Sequence, residues 1–572
     1  MIINLGNPWI VAAVASTSLA VYLYHRLSYY RLRQYAHFPQ HKPSLLLGHL
    51  GVLDKYGKHV VNGGRKTDAS DEFWLSLCRD LGNPEIFYSD LRPILPPMLT
   101  IRSHAVAEQI SKQSKLLPYG APKLAKFDHL DPLVGQHSII LMSGKKWKDM
   151  RRRFNPGFAP QHLLSLMPLI TNMSKGLIAK LDNAARNGDI CTLNPLLTSL
   201  TLDIIGVVAA DMELNAQGPV EKQHRLVAAY DTLLETYTPE TGSIPWWLEP
   251  RVRYRRRVLA RQVDEHLRHQ IVDQFHRMKG NDGKTGRDVL SLSFQDVETL
   301  TPEITTETVD QIKSFFFAGH DTTSNTLQWA IYEVSRHPRL LEAVRAEADA
   351  ALGTDPDPSS VLAAFDTRAE EILSSMPYTL AIIRETLRRH TTAGSGREIP
   401  KGTGFYITLA DGSTVCVDGL TLFLCHDLLM LDEEVYGSTV WDFVPERWMT
   451  KEQAEAAASR ARTEEERRMI LEANAVDVPA SAFRPFERGP RNCIGQELSM
   501  IESRMILALV VRQYDFTKVD LGAPTLGGDG KPLVDAKGRH VSETETYGYR
   551  KGTAGPVDGI RTRVYFREGF ER

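Results

Sequence analysis

The sequence predicts a mainly α-helical body with small β-sheets (an α+β fold), preceded by one N-terminal transmembrane helix. Three observations predict it. Ala, Leu and charged residues recur with helical periodicity from Pro160 to Arg277 and from Ile501 to Arg512. Strand-like runs are few and short: Gly404 to Thr408, Thr414 to Val417, and Arg563 to Phe566. The first 24 residues carry no charged side chain. The 572 residues are 42% hydrophobic and 24% charged, ordinary globular usage with enough apolar material for a large core. A formal charge of −2 gives no reason to expect nucleic acid. The five cysteines are odd in number and lack a CxxC pair, which argues against a disulfide framework or a zinc site and for a reducing compartment.

About 20 apolar residues cross a bilayer core, so Ile3 to Leu23 is long enough to span it once. Arg26, Arg31 and Arg33 follow, with Tyr22, Tyr24, Tyr29 and Tyr30 at the boundary. Cations after the segment and none before it place the C-terminal side in the cytoplasm. A cleaved signal peptide is the competing reading, but it lacks a charged n-region. Residues 1–25 are read as the anchor, and 26–43 as a basic, proline-rich linker. Residues 44–572 form the catalytic body, separate from the anchor because Pro39 and Pro43 break any helix.

Trp147 and Arg151 sit at i and i+4, so an indole N–H and a guanidinium can reach carboxylates from one helix face. From Thr301-Pro302 to Pro338 the chain reads as one long helix, capped by Thr301 or Thr305 and stopped by the proline. Inside it lies Phe315-Phe-Phe-Ala-Gly-His-Asp-Thr-Thr323. Gly319 costs a helix interior about 1 kcal/mol relative to Ala. Thr322 and Thr323 carry hydroxyls that bond backward to carbonyls, weakening the ladder where a small molecule could insert. Ala318 and Gly319 leave room there, and Asp321 with Thr322 supplies a carboxylate and an alcohol suited to relaying protons.

Glu385 and Arg388 sit at i and i+3, and Arg447 follows in Phe443-Val-Pro-Glu-Arg-Trp448; together they are expected to form one buried, structural cluster. Between Arg388 and Arg397 the run Thr391-Thr-Ala-Gly-Ser395 suggests a pliable strand. Lys279 to Gly286 reads as a loop, Lys451 to Asn474 as an exposed helical insertion, and Leu526 to Gly530 as a turn between late strands.

The most informative stretch is Phe486-Glu-Arg-Gly-Pro-Arg-Asn-Cys-Ile-Gly495. It reads as a loop presenting one thiolate, Cys493, to a haem iron, a ligand that favours O–O cleavage. Gly489 and Gly495 suit a tight turn. Backbone N–H groups aimed at the sulfur would keep it deprotonated. Phe486 would shield it from water, and Arg491 stands ready for an anionic group.

This loop resembles the haem-binding signature of the cytochrome P-450 monooxygenases. Ala318-Gly-His-Asp321-Thr-Thr323, Glu385-x-x-Arg388 and Trp147-x-x-x-Arg151 resemble further motifs of that family in its order, over roughly residues 38–572. The resemblance implies the cytochrome P-450 fold and haem b (iron protoporphyrin IX), with Cys493 as the axial metal ligand. It implies propionate contacts from Trp147, Arg151, Arg397 and Arg491. It implies a reductase that passes electrons from NADPH, with cytochrome b5 as a further donor, and an endoplasmic reticulum membrane. The family commonly has prolines after its Leu-Arg, and Arg389-His390 stand there instead. Lys145, Lys146, Lys148, Arg152, Arg153, Arg484 and Arg488 are expected to form a basic docking face for that acidic reductase.

The resulting expectation is a monooxygenase acting on a lipophilic small molecule. The phrasing of the haem loop is similar to filamentous-fungal members that tailor secondary metabolites, with fatty-acid hydroxylation as the alternative. A haem-thiolate isomerase or dehydratase needing no reductase is a second class, disfavoured by the intact Asp321-Thr322 pair. A haem sensor or carrier would leave that pair without work. Substrate walls are expected from Leu116 to Ile140, Phe315 to Thr323, Thr391 to Ser395, and around Tyr547 to Val557.

Overall fold

The spine of the body is a 35-residue helix, Pro302–Arg336. Thr301 Oγ1 accepts the Ile304 N–H at 3.2 Å and Pro302 fills the first turn, where a missing donor costs nothing. Pro338 opens the next helix. The computed structural model describes residues 8–62, 70–124, 130–237, 249–280, 286–551 and 553–572. Parts of four expectations lie outside these: the start of the anchor, residues 125–129 of the first substrate wall, most of the Lys279–Gly286 loop, and residue 552.

Gly319 does not interrupt the spine, which is helical throughout. The glycine is required by a neighbour. Helix Leu193–Ala210 crosses there, and a Cβ on Gly319 would lie 2.9 Å from Ile205 Cγ1. That crossing helix is apolar enough to span a membrane, with mean hydropathy 1.6, yet 72% of it is buried inside the body. Its even hydrophobicity reflects a core position, as expected of a helix covered on all sides.

The strands form small sheets beside the helices. One sheet runs Ile86–Ser89, Met98–Ile101, Thr421–Leu424, Ser395–Glu398, with only the central pair parallel. Ile190–Thr192, Arg561–Phe566 and Tyr514–Lys518 make a three-stranded antiparallel sheet. Tyr406–Thr408 pairs with Thr414–Cys416, and Gly548–Lys551 with Thr553–Pro556. The expected turn at Leu526–Gly530 is closed by an isolated bridge, Leu526 to Pro532, rather than by full strands.

Glu385, Arg388 and Arg447 meet in a fully buried cluster. Arg388 Nη2 lies 2.7 Å from Glu385 Oε1 and Arg447 Nε 3.7 Å from Oε2, all three side chains at 0% exposure. Trp448 Nε1 and the Val444 N–H also donate to the carboxylate, at 2.8 and 3.1 Å. Burial opposes ionisation of Glu385, but the two guanidiniums and these donors hold its carboxyl below the usual range. One carboxylate faces two guanidiniums, and their remaining donors go to backbone carbonyls, Arg388 to Met430, Val440 and Asp442 and Arg447 to Tyr436 and Thr439, which makes the buried charges tolerable.

Two expectations are corrected. The insertion forms helices Lys451–Ala458 and Glu464–Ala475, but Ala454, Met469, Ile470 and Ala473 are buried. Glu466 and Glu446 bracket Arg339 at 2.7 and 2.6 Å, so the segment is locked to the body, not splayed into solvent. The N-terminal helix, Pro8–Ser28, has no buried residue and continues through a π-helical turn, Tyr29–Arg33, past the expected boundary at 25. The body is not separate from it: Arg31 is buried, 2.7 Å from Asp90 Oδ1, because the linker folds back over the sheet edge.

Candidate active site

Cys493 lies between a 3-10 turn, Gly489–Arg491, and helix Gln496–Gln513. Its N–H donates to the Phe486 carbonyl at 2.8 Å, closing the loop into a compact bulge. Gly489 makes this possible: its φ is +73°, and a Cβ would meet the Ser111 carbonyl. Gly495 has no such constraint, with φ −88° at the helix start, and borders the cavity described next.

The sulfur opens into an internal cavity of about 320 Å³ walled by Ile139, Ile140, Phe158, Ile205, Phe315, Leu387 and Leu498, so its accessible surface faces that space and not bulk water. Burial pushes the thiol pKa up, while the Gly495 and Gln496 N–H groups, Arg151 and Lys123 pull it down. The position at a helix N-terminus works in the same direction.

Trp147, Arg151, Phe486 and Arg491 border the same cavity. Arg491 stacks on the Trp147 ring, and its Nη2 is buried without a hydrogen bond. Burial pushes this guanidinium down to about 9, the mark of a cation lacking a counter-charge. Arg397 is 1% exposed and gives one donor to Glu487 at 3.0 Å, yet its Nε and Nη1 have no partner. Arg151 is also bonded to the cysteine loop. Its donors go to the Asn492 carbonyl at 2.6 Å, Asn492 Oδ1 at 3.2 Å and Asn155 Oδ1 at 2.7 Å, because the loop's own acceptors lie nearest. It braces the residue preceding Cys493.

Thr322 borders the cavity and donates to the Ala318 carbonyl at 2.7 Å. Asp321 points elsewhere: it accepts from Thr553 Oγ1 on the Gly548–Pro556 hairpin and is not among the cavity-lining residues. Successive helical residues point about 100° apart, and here the cavity lies on the Thr322–Thr323 side while Asp321 turns toward the hairpin. The expected walls at Phe315–Thr323 and Thr391–Ser395 are present, while the hairpin at Tyr547–Val557 packs behind the spine, its Thr553 hydroxyl also taking an Asn325 N–H, and does not line the cavity.

Two site residues escaped sequence reasoning, Glu487 and Glu502, and a third, Lys123, falls within the expected Leu116–Ile140 wall but was not singled out. Lys123 borders the cavity with its Nζ 3.3 Å from Ser395 Oγ. Glu487 collects Arg397 and Arg484 at 3.0 and 3.1 Å, with His426 at 3.7 Å. Burial opposes its charge, yet the His426 contact and the Arg484 and Arg397 guanidiniums hold its carboxyl far below the usual range. Glu502, buried and without an ion pair, has its pKa raised well above the usual range by burial. Glu487 and Glu502 carry no signal in the sequence beyond proximity to the cysteine loop.

The proposed docking face shrinks. Arg484 is fully buried between Glu108 and Glu487, Arg488 pairs with Glu108 at 3.0 Å, and Arg153 donates to Ser293 O and Thr308 Oγ1. Lys145, Lys146, Lys148 and Arg152 remain exposed.

Cys493 thus sits at a helix N-terminus facing an apolar-walled cavity, which the buried Arg491 borders, and both Arg491 and Arg397 keep buried donors without a partner. The family model of cytochrome P450 matches residues 88–527, and the chain belongs to that family. It is 30% identical over 502 residues to cytochrome P450 monooxygenase acrF of Aspergillus aculeatus, covering 85% of this chain and 94% of that one. It is 26% identical to the bifunctional cytochrome P450/NADPH–P450 reductase ALT2 of Alternaria alternata, covering 73% of this chain and 34% of that protein. The crystal structure of the cytochrome P450DA heme domain superposes with a TM-score of 0.65 at 18% identity, covering 94% and 98% of the two chains. The chain is thus an oxidoreductase of the cytochrome P450 monooxygenase family, with a haem cofactor.

Proposed function

We propose that this chain is a membrane-anchored monooxygenase that uses haem b, dioxygen and NADPH-derived electrons to oxidise a lipophilic small molecule in fungal secondary metabolism. One observation carries the reading: the Cys493 sulfur and the Thr322 side chain border one apolar-walled cavity.

The residues present fit the group. Unpartnered Arg397 Nε and Nη1 and Arg491 Nη2 are donors for two carboxylates, matching the two acid groups of protoporphyrin IX. Cys493 would ligate the iron, Trp147, Arg397 and Arg491 would hold the carboxylates, and Arg151 would keep the cysteine loop in place. When bound, the haem supplies oxygen activation and C–H oxidation. The chain's own part is orientation and proton handling. Thr322 holds a hydroxyl at the cavity wall, able to pass a proton inward when it releases the Ala318 carbonyl. Asp321, one residue before it and turned outward, is placed to draw protons from the hairpin side. The aliphatic and aromatic walls exclude water and select an apolar substrate.

Electrons would come from a separate NADPH–cytochrome P450 reductase, the role filled within one chain in the Alternaria relative. Lys145, Lys146, Lys148 and Arg152 are the exposed cations near the thiolate side that suit an acidic partner. The apolar helix Pro8–Ser28 would anchor the protein in the endoplasmic reticulum membrane. The test is reconstitution with reductase and NADPH, comparing the native chain with Cys493→Ala. Thiolate-type absorption and NADPH-dependent oxidation of an apolar probe are expected from the native chain alone. Equal spectra and turnover in the variant would refute the assignment.

A further inference from the structure

We infer that Thr553 is a positioning residue for oxygen activation: from the late hairpin of Gly548–Lys551 and Thr553–Pro556 it holds the proton-supplying carboxylate of Asp321 in place. This rests on the proposed reading of Asp321 as a proton source for Thr322, and adds the group that fixes it.

The nearest hydroxyl on the spine is committed elsewhere, since Thr322 donates to the Ala318 carbonyl at 2.7 Å. Asp321 lies one turn before Asn325, so the two stand on one face of the spine. Thr553 bridges them: its hydroxyl donates to Asp321 Oδ2 and accepts from Asn325 Nδ2 at 3.1 Å. A hydroxyl has one proton and two acceptor positions. With the Asn325 amide on an acceptor position, the proton is left for the carboxylate. Asn325 is oriented in turn. Its Oδ1 accepts from Gln328 Nε2 at 3.2 Å, which turns Nδ2 toward Thr553. Gln328 Nε2 also reaches Ser324 Oγ at 3.1 Å, and Ser324 Oγ lies 2.9 Å from Thr198 Oγ1 on the crossing helix Leu193–Ala210. Thr553 is 8%, Asn325 3% and Gln328 0% exposed, so water does not compete for these bonds. Asp321 itself is only partly buried, which leaves it a side from which to take up protons.

The hairpin is itself fixed against the spine. Gly555 must be a glycine, because a Cβ there would collide with the Asn325 amide. Gly555 and Pro556 pair with Tyr549 and Gly548, and the Val557 N–H donates to the Tyr547 carbonyl at 3.0 Å. Next to Thr553, the Ala554 N–H donates to the Thr392 carbonyl at 2.8 Å, and Thr392 borders the cavity. The support for Asp321 is therefore tied to the spine on one side and to the cavity wall on the other. A proton donor acts only when held within hydrogen-bond reach of its acceptor. A carboxylate free to move among its staggered side-chain conformers is in place only part of the time. The hairpin packs behind the cavity without lining it, and holding Asp321 gives it a part in the reaction.

The experiment uses the haem-loaded full chain with reductase and NADPH, and 7-ethoxycoumarin as the apolar probe. Dealkylated product, NADPH consumed and peroxide released are measured together. We expect Thr553→Val to lower product per NADPH by about 10-fold, the low end for a lost hydrogen bond to a charged group, with peroxide making up the difference. The KM for the probe and the haem spectrum should stay unchanged. Thr553→Ser keeps the hydroxyl and should recover most of the coupling. Asp321→Asn should uncouple as well, and adding Thr553→Val to it should change little further, because the two groups act as a unit. Thr553→Val as well coupled as the native chain, beside an uncoupled Asp321→Asn, overturns the inference and leaves the proton-relay reading intact. Loss of the haem spectrum in Thr553→Val without rescue by serine marks a packing role and also overturns it. Asp321→Asn as well coupled as the native chain overturns the relay reading itself, and this inference with it.

Discussion

The Arg491 guanidinium lies 4.4 Å from the centre of the Trp147 indole, with Nη2 buried and bonded to nothing. The ring fixes the guanidinium by cation–π contact, and the free donor is left for an anion. A charge-assisted hydrogen bond is worth about 1.5–3 kcal/mol. Arg491→Ala should therefore raise the haem dissociation rate by roughly 10- to 150-fold, read by transfer of haem to an excess of apomyoglobin. Arg397→Ala should do the same, and unchanged transfer in both variants would remove these residues from the cofactor site.

Thr322 is the hydroxyl at the cavity wall. Thr322→Ala should lower product formation by about 100-fold, at the low end of general acid–base contributions, while NADPH oxidation continues and peroxide is released. Thr322→Ser keeps the hydroxyl and should recover most of the coupling. A merely structural threonine would lose NADPH oxidation and product together, with no rescue by serine.

Gly319 is held by its neighbour. Gly319→Ala puts a methyl group 2.9 Å from Ile205 Cγ1, an overpacking that should cost about 1–3 kcal/mol in denaturant unfolding. Ile205→Ala should relieve much of it, so the double variant should be more stable than the sum of the single changes implies. Strict additivity would refute the contact.

Glu385 holds two buried guanidiniums. Glu385→Gln leaves both under-compensated and should destabilise the fold by about 3–5 kcal/mol, the range for breaking a buried pair. Thermal unfolding of the haem-loaded protein checks this. A change under about 1 kcal/mol would fit only an exposed pair.

Glu333 lies 2.8 Å from His390 Nε2 and 3.6 Å from His337 Nδ1, and although burial opposes its charge, these neighbours and Arg336 lower its pKa to about 2. A depressed carboxylate pKa contributes stability above its unfolded value of about 4.3, and that stability is lost as pH falls toward 2. Glu333→Gln should flatten the loss of stability between about pH 4.5 and 2 relative to the native chain, as measured by urea midpoints. Parallel curves would show that this carboxylate is not linked to folding.

The elements most legible in the sequence are those whose signal is local. Thr301-Pro302 capped the long helix because capping needs only the adjacent turn. The cysteine loop was readable because its ten residues carry their own turn chemistry, with Gly489 at positive φ. Glu385, Arg388 and Arg447 were expected together and do cluster, Arg388 bonded to the carboxylate and Arg447 in ion-pair range at 3.7 Å.

What the amino-acid order determined alone is a helical body, one apolar N-terminal helix and a thiol poised on a short glycine-bearing turn, because neighbouring residues dictate caps, turns and periodicity. Only the tertiary structure decided which cations stay unpaired. Arg484 is consumed by Glu108 and Glu487, Arg151 by Asn492, and Arg31 by Asp90, while Arg397 and Arg491 keep free donors. Charge pairing depends on distances across the fold, and residues hundreds of positions apart in the chain set them.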